Sequence, residues 1–242
     1  GFNVQGSDLG INKNIENCKK IGISIFFGHK KSNISKATII VKSSAIKKNN
    51  IELFESKKKN IPVYERVEML ANIVALKKNI IITGSHGKTT TTSLVAKILS
   101  EAKLDPTIIN GGVINSIKNN AKLGKGDWAV LEADESDGSF LKLPINYSVV
   151  TNIDHEHLDY YKNYKNLEQS FLEFINKTPP TGKSIICIDN YNIKKIFNKI
   201  KKQNVLTYGE SKKADYQIKK IKYYFDSTTF DLSFKGKEKK RT

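Results

Sequence analysis

Only two cysteines occur in the 242 residues, Cys18 and Cys187. They lie far apart and match no metal-binding or redox spacing, so two buried free thiols are expected rather than a zinc site or a disulfide framework. The chain also lacks any run of eighteen or more apolar residues and any signal-peptide pattern, which predicts a soluble, cytoplasmic protein without membrane insertion. Acidic residues are outnumbered by basic ones, 24 against 41, for a formal net charge of +17. Yet there is no basic helix and no platform of interleaved aromatics. The lysines are scattered with asparagine and isoleucine along the whole length, which reads as compositional bias plus affinity for anionic small molecules and not as nucleic-acid binding. The run Lys235 to Arg241 is read as a solvated loop or a cut end.

A chain of this length holds one large or two ordinary domains. Residues 1 to 78 alternate short apolar runs with helical patterns: a strand within Phe2 to Asp8, a helix over Ile11 to Ile21, strands at Ile23 to Phe27 and Ala37 to Lys42, and helices at Ile51 to Lys59 and Val63 to Lys78. This βαβαβ rhythm predicts a Rossmann-like parallel sheet with helices on its faces. No strand and no glycine-rich turn precede Gly1, so the expected nucleotide-binding domain is incomplete at its start. A second domain, 79 to 242, resumes the rhythm as a doubly wound α/β unit with strands at 80–83, 107–109, 128–131, 147–153, 184–188 and 204–208. After Ala214 the period changes to two, and Asp226-Ser227 marks the turn of an antiparallel hairpin.

The densest signal is NIIITGSHGKTTTTSL, residues 79 to 94. A β-branched run ends at Gly84, turns through Ser85, His86 and Gly87, and continues as Lys88-Thr89-Thr90 into an apolar-periodic helix. The full nucleotide-binding pattern needs a glycine at position 82, where this chain has isoleucine, so the spacing is the shortened G-x-x-G-K-T. Glycines allow backbone N–H groups to close around an anion, the helix N-terminus adds its positive dipole end, Lys88 supplies a charge and the Thr89 hydroxyl can ligate Mg²⁺. Triphosphate binding is the chemistry this predicts. Thr91, Thr92 and Ser93 are read as caps and helix-face residues.

In a doubly wound sheet, ligands meet the carboxyl ends of the strands. Two further ends carry suitable groups, Glu132 to Asp137 (EADESD) and Thr151 to His157 (TNIDHEH). Glu132 follows a buried run and can reach a Mg²⁺ held by Thr89; the alternative for such an acidic run is a solvated loop. His157 is a candidate for a second metal or a phosphate contact, His86 for a spacer within the loop, and His29 has no supporting context. Asp8, after its strand, suits a ribose or base, or equally a helix cap, and the Ser43-Ser44 turn ends at the same edge.

In these motifs the chain resembles the Mur ligases of bacterial peptidoglycan synthesis. GSHGKTTT (84–91), INGG (109–112), EADESD and TNIDHEHLD resemble the family in sequence, order and spacing, as do GSDL (6–9), SSAI (43–46) and RVEML (66–70). The resemblance covers nearly the whole chain. It implies an ATP- and Mg²⁺-dependent amide-bond ligase with UDP-N-acetylmuramate and L-alanine as small-molecule substrates. It places Gly84, Ser85, His86, Gly87, Lys88, Thr89 and Thr90 on ATP phosphates with Asn110 nearby, and Glu132 and His157 on metals. Ser7, Asp8, Ser43 and Ser44 would face the UDP part, and Ser136, Asp137 and Asn152 the acyl-phosphate pocket. The family's third domain would follow Thr242, so this stretch alone is expected to be inactive. A muropeptide-recycling ligase, a folylpolyglutamate-synthase-like ligase and a non-catalytic binding fragment remain open alternatives. Recycling enzymes tend to show tyrosine where Ser136 stands, and folate ligases lack the leading UDP-binding domain.

Overall fold

A computed structural model describes residues 2–114, 119–201, 204–235 and 237–238. They form two compact units, Gly1–Leu70 and Ala71–Thr242. Most of the terminal lysine run, and Gly1 itself, lie outside the described residues.

The first unit contains two separate βαβ arches. Strand β1 (Gln5–Asp8) pairs parallel with β2 (Ser24–Phe27) across helix α1 (Lys13–Lys20), and β3 (Ile40–Lys42) pairs parallel with β4 (Val63–Glu65) across α2 (Ile51–Lys58). The two pairs do not join into one sheet. Instead, residues of both, among them Gln5 to Asp8 and Ile39 to Ser43, line a cavity of about 320 Å³. The helix expected from Val63 therefore begins later. Val63 and Tyr64 are β-formers that follow Pro62, whose carbonyl accepts from Ile40 N at 2.9 Å, and helix α3 (Arg66–Val74) starts only where Glu68 accepts from Glu65 N at 2.9 Å.

The second unit is one ten-stranded sheet with α4 (Lys88–Glu101), α5 (Leu158–Tyr161), α6 (Tyr164–Asn176) and α7 (Tyr191–Ile196). Its strands are β5 (Lys78–Thr83), β6 (Thr107–Ile114), β7 (Asn119–Lys122), β8 (Trp128–Glu132), β9 (Tyr147–Val150), β10 (Lys183–Cys187), β11 (Val205–Gly209), β12 (Tyr216–Tyr223), β13 (Thr228–Phe234) and β14 (Lys237–Glu238). Their order is 14-13-12-11-10-9-5-8-6-7, parallel from β12 through β6 and antiparallel at both margins. The predicted hairpin is β12–β13, closed by Tyr224 N donating to Ser227 O at 2.8 Å.

Strands buried on both faces read as unbroken apolar runs, and β5 shows the reason. Ile82 packs with Ala96, Ile108, Val130 and Val149 under α4, while Ile81, pointing the other way, is equally buried. Phe140, Phe171 and Phe174 fill a second cluster with ring centroids 5.1 to 5.6 Å apart. Cys18 and Cys187 are free thiols as expected, but both are half-buried rather than buried, since neither sits in these clusters. No described helix is long and apolar enough to cross a membrane.

Candidate functional site

The chain runs from β5 through α4 to β6 on one side, then returns to place β9 on the other, so β5 lies between β8 and β9. That reversal is the topological switch point at which a doubly wound sheet opens a crevice. The register sets Ile82 opposite Glu132 and Thr83 opposite Val150, so the three motif-bearing strand ends emerge together.

The loop 84–87 sits directly on the end of β9. Gly84 has φ +135°, and a Cβ there would lie 2.1 Å from Thr151 Oγ1 and 2.9 Å from the Asn152 carbonyl oxygen. Gly87, at φ +78°, caps α4. Five hydrogen bonds fasten the loop: Ser85 N to Asn152 O (3.2 Å), His86 N to Asn152 Oδ1 (2.8 Å), Asn152 Nδ2 to His86 O (3.0 Å), Thr151 Oγ1 to His86 O (2.6 Å) and Asp154 N to Ser85 Oγ (2.8 Å). Ser85, His86 and Asn152 thus engage one another through the loop's own framework. The His86 ring is mostly exposed, with Nε2 3.0 Å from Asp154 Oδ2.

The first turn of α4 carries the charge. Lys88 Nζ donates to Gly84 O (2.7 Å), Ser85 O (3.2 Å) and Glu135 Oε1 (3.0 Å), and lies 3.0 Å from Glu135 Oε2. Thr89 Oγ1 donates to Glu132 Oε1 (3.1 Å), while Thr90 is exposed. Glu132 Oε2 accepts from Gly111 N (2.8 Å). A Cβ on Gly111 would stand 2.6 Å from Glu132 Oε1, and one on Gly112 would stand 3.1 Å from Thr89 Cγ2, so the two glycines of INGG give Glu132 and Thr89 the room to meet. Asn110 is buried, with its amide donating to Ser93 Oγ and Gly112 O, both at 3.2 Å, which braces this strand against α4.

His157 adopts φ +57° ahead of α5. Its Nε2 lies 3.4 Å from Glu135 Oε1 and 3.9 Å from Glu156 Oε2. Glu135, Glu156 and His157 each offer one donor atom within 4.8 Å of the others, an arrangement able to hold a cation. Ser136 N donates to Asp134 Oδ1 (2.9 Å) and Ser139 N to Asp137 Oδ1 (3.0 Å), so these residues shape the turn into Phe140. Burial pushes the Asp134 carboxyl up, but hydrogen bonds from Ser136 and the charges of Lys88 and His157 outweigh it and hold it below the usual carboxylate range. Burial likewise pushes the Tyr161 phenol up, and its hydroxyl donates to the Glu135 carbonyl oxygen.

Glu135, only 1 % exposed, escaped the sequence reading as a separate site residue. A signal was present: the strand alternation continues past Glu132, so that Leu131, Ala133 and Glu135 are all buried in a period of two.

In the first unit, Ser7, Asp8 and Ser43 line the cavity, whereas Ser44 does not. Ser7 Oγ donates to Glu52 Oε2 (2.7 Å), and Asn33 Nδ2 donates to Glu52 Oε1 (2.7 Å). His29, for which the sequence offered no context, lines the same cavity with Nδ1 3.2 Å from Ser7 Oγ and 3.5 Å from Glu52 Oε2. Asp8 Oδ1 accepts from Gly10 N (2.9 Å), a turn-forming contact and not a helix cap.

Comparison with known proteins gives consistent matches. Residues 82–241 match the model of the Mur ligase middle domain, and residues 1–78 that of the Mur ligase family, catalytic domain. The UDP-N-acetylmuramate--L-alanine ligase of Pelagibacter ubique is 60% identical over 233 residues, covering 96% of this chain and 50% of the relative. The ligase of the same name from Brucella anthropi is 43% identical over 242 residues, covering 100% of this chain and 52% of its own. The chain spans about half the length of these curated relatives. In fold it is similar to the crystal structure of UDP-N-acetylmuramate-alanine ligase MurC from Thermotoga maritima, with TM-score 0.82 and 24% identity over 98% of this chain and 53% of that one. It is similar as well to the UDP-N-acetylmuramate:L-alanyl-gamma-D-glutamyl-meso-diaminopimelate ligase of Neisseria meningitides, with TM-score 0.85 and 20% identity over 97% of this chain and 77% of that one.

Proposed function

Because the chain belongs to the Mur ligase family, we propose that it supplies the substrate-binding and ATP-binding parts of a ligase that joins L-alanine to UDP-N-acetylmuramate. The observation that carries this reading is the convergence of Lys88, Thr89 and Glu132 beside a fastened glycine loop at the switch point of the sheet. Residues 79–242 take ATP, with the loop N–H groups, Lys88 and the α4 N-terminus on its phosphates. Residues 1–78 take the UDP part in the cavity lined by Ser7, Asp8 and Ser43.

In the proposed reaction a muramate carboxylate oxygen attacks the γ-phosphorus of ATP, the β–γ bridging bond breaks, and ADP leaves an acyl phosphate. The amine nitrogen of L-alanine then attacks the acyl carbon, loses a proton, and displaces inorganic phosphate as the C–O bond breaks. The difficulty is electrostatic, because a carboxylate must approach a triphosphate. Lys88 neutralises part of that charge, and the rigid seat of the loop on Thr151 and Asn152 fixes the line of attack. The donors fit Mg²⁺, since Thr89 Oγ1 and Glu132 Oε1 already meet at 3.1 Å and are hard oxygen ligands. Bound Mg²⁺ would supply further charge neutralisation; Thr89 and Glu132 would hold one ion, and His157, with Glu135 and Glu156, offers a second position.

Alanine, not a tripeptide, is the proposed acceptor because the 60% identical relative is named for alanine, whereas the ligase at 20% identity whose name carries the tripeptide shares the fold alone. The test places these residues in the corresponding half of the Pelagibacter ligase and follows phosphate release with L-alanine and the tripeptide offered in parallel. Alanine-dependent release is expected; faster turnover with the tripeptide would reassign the acceptor. The 242 residues alone, spanning half of that relative, should bind ATP without detectable ligation, and robust alanine-dependent ADP formation by them would overturn this part of the reading.

Glu132→Gln keeps the shape of the side chain and removes its charge. Nucleotide affinity should therefore fall by roughly tenfold or more in Mg²⁺ and change little in chelator, as expected when a hard anionic ligand is lost. Equal losses in both conditions would remove Glu132 from the metal site.

A further inference from the structure

The ammonium of Lys88 has a resident partner. Glu135 is 1 % exposed, and both of its carboxylate oxygens lie 3.0 Å from Lys88 Nζ. A buried carboxylate needs a cation, and the other cationic candidate nearby, His157, stands farther away at 3.4 Å. Tyr161 anchors the main chain of Glu135 through its carbonyl oxygen. A phosphate bound at residues 84–89 must therefore draw on an ammonium that already serves a fixed internal anion.

We propose that Glu135 is a positioning residue that acts as an internal rival of the nucleotide's phosphates, setting the affinity of the loop below what Lys88 and the backbone would give alone. The proposal rests on the reading that nucleotide phosphates bind at residues 84–89. Its consequence for turnover is direct. An interaction that weakens ground-state hold on ADP speeds product release, the step that limits many enzymes with enclosed sites. Lys88 is meanwhile aimed by the carbonyl oxygens of Gly84 and Ser85, which stay in place when Glu135 is neutralised, so the freed ammonium needs little reorganisation when an anion arrives.

The direction of the affinity change on neutralising Glu135 separates this role from a structural one. A residue that merely supports the fold loosens the site when replaced, and affinity falls. A rival anion, when neutralised, releases the lysine and also lifts its own repulsion of phosphate, so affinity rises. ADP binding to the 242-residue chain is measured by calorimetry in chelator, so that no metal contributes. Glu135→Gln is expected to bind ADP roughly three- to thirtyfold more tightly than the unaltered chain, the scale of one nearby charge acting on a shared ammonium. In the Lys88→Ala background the same replacement should give a smaller gain, because only direct repulsion is then relieved. Glu135→Asp, which withdraws the carboxylate by one methylene, should give an intermediate affinity, and it decides the matter should the glutamine variant fail to fold. Equal or weaker ADP binding by a folded Glu135 variant overturns the proposal. If ADP binding is instead indifferent to Lys88→Ala, the nucleotide reading itself fails, and this inference with it; a Lys88 effect without a Glu135 gain defeats the inference alone.

Discussion

Lys88→Ala should lower the affinity of the chain for ATP by roughly tenfold to over a hundredfold, because it deletes a charge-assisted phosphate contact worth about 1.5–3 kcal/mol. Lys88 is the one cation in the first turn of α4, and its Nζ is held by the carbonyl oxygens of Gly84 and Ser85, within the loop itself. Removing it has a second effect. Glu135, buried at 1 % exposure, loses its nearest cation and becomes an uncompensated anion beside the phosphate site. The first effect lowers affinity and the second lowers stability. Calorimetric titration with ATP checks the affinity, and a urea unfolding curve confirms that the variant is folded. Unchanged affinity in a folded variant would show that the loop does not hold phosphate. In the Lys88→Ala/Glu135→Gln double variant the buried anion is gone as well, so part of the lost affinity and stability should return.

Gly84→Ala is expected to be damaging for a steric reason, with loss of both stability and nucleotide binding. The residue sits at φ +135°, which side-chain-bearing residues rarely adopt, and its Cβ would stand 2.1 Å from Thr151 Oγ1 and 2.9 Å from a main-chain oxygen. Backbone strain of this kind costs about 1–3 kcal/mol, and forcing an atom into an occupied position adds about 1–3 kcal/mol. The loop must lift from β9, breaking its pairing with Asn152 and displacing Lys88. Gly87→Ala is the matched control, since Gly87 also has positive φ, at +78°, but a Cβ there meets nothing within 4 Å. Chemical denaturation of the two variants should show Gly84→Ala to be the more destabilised by about 1–3 kcal/mol, the share due to the clash. Equal losses would mean that backbone conformation alone explains the requirement for glycine at position 84.

Several parts of the architecture were legible because they are local. A β-branched run, a glycine turn and an apolar-periodic helix are contiguous, and β5, the loop and α4 follow from them. The hairpin β12–β13 declared itself through its period of two. The first unit was less legible. Strands of three or four residues carry too few side chains to reveal which of them pair, and two parallel pairs around a cavity have the same βαβαβ rhythm as one sheet. The strand at Val63–Glu65 was absorbed into the helical pattern that follows it, since three residues are too short to show a period.

The chemistry of the loop and the residue types available at each strand end depend on neighbours a few positions apart, and so could be read directly from the order of residues. Which of the available groups meet depends on the folded sheet. Thr89 finds Glu132 across 43 positions, Lys88 finds Glu135 across 47, and His86 is fastened to Asn152 across 66. Four acids stand within Glu132 to Asp137, and composition treats them alike. The pleat of β8 and its continuation turn Glu132 toward Thr89 and Gly111, and bury Glu135 against Lys88 and His157. Side-chain direction along a strand alternates with every residue, whereas the neighbour that each direction meets is set by strand order, and strand order is a property of the whole sheet.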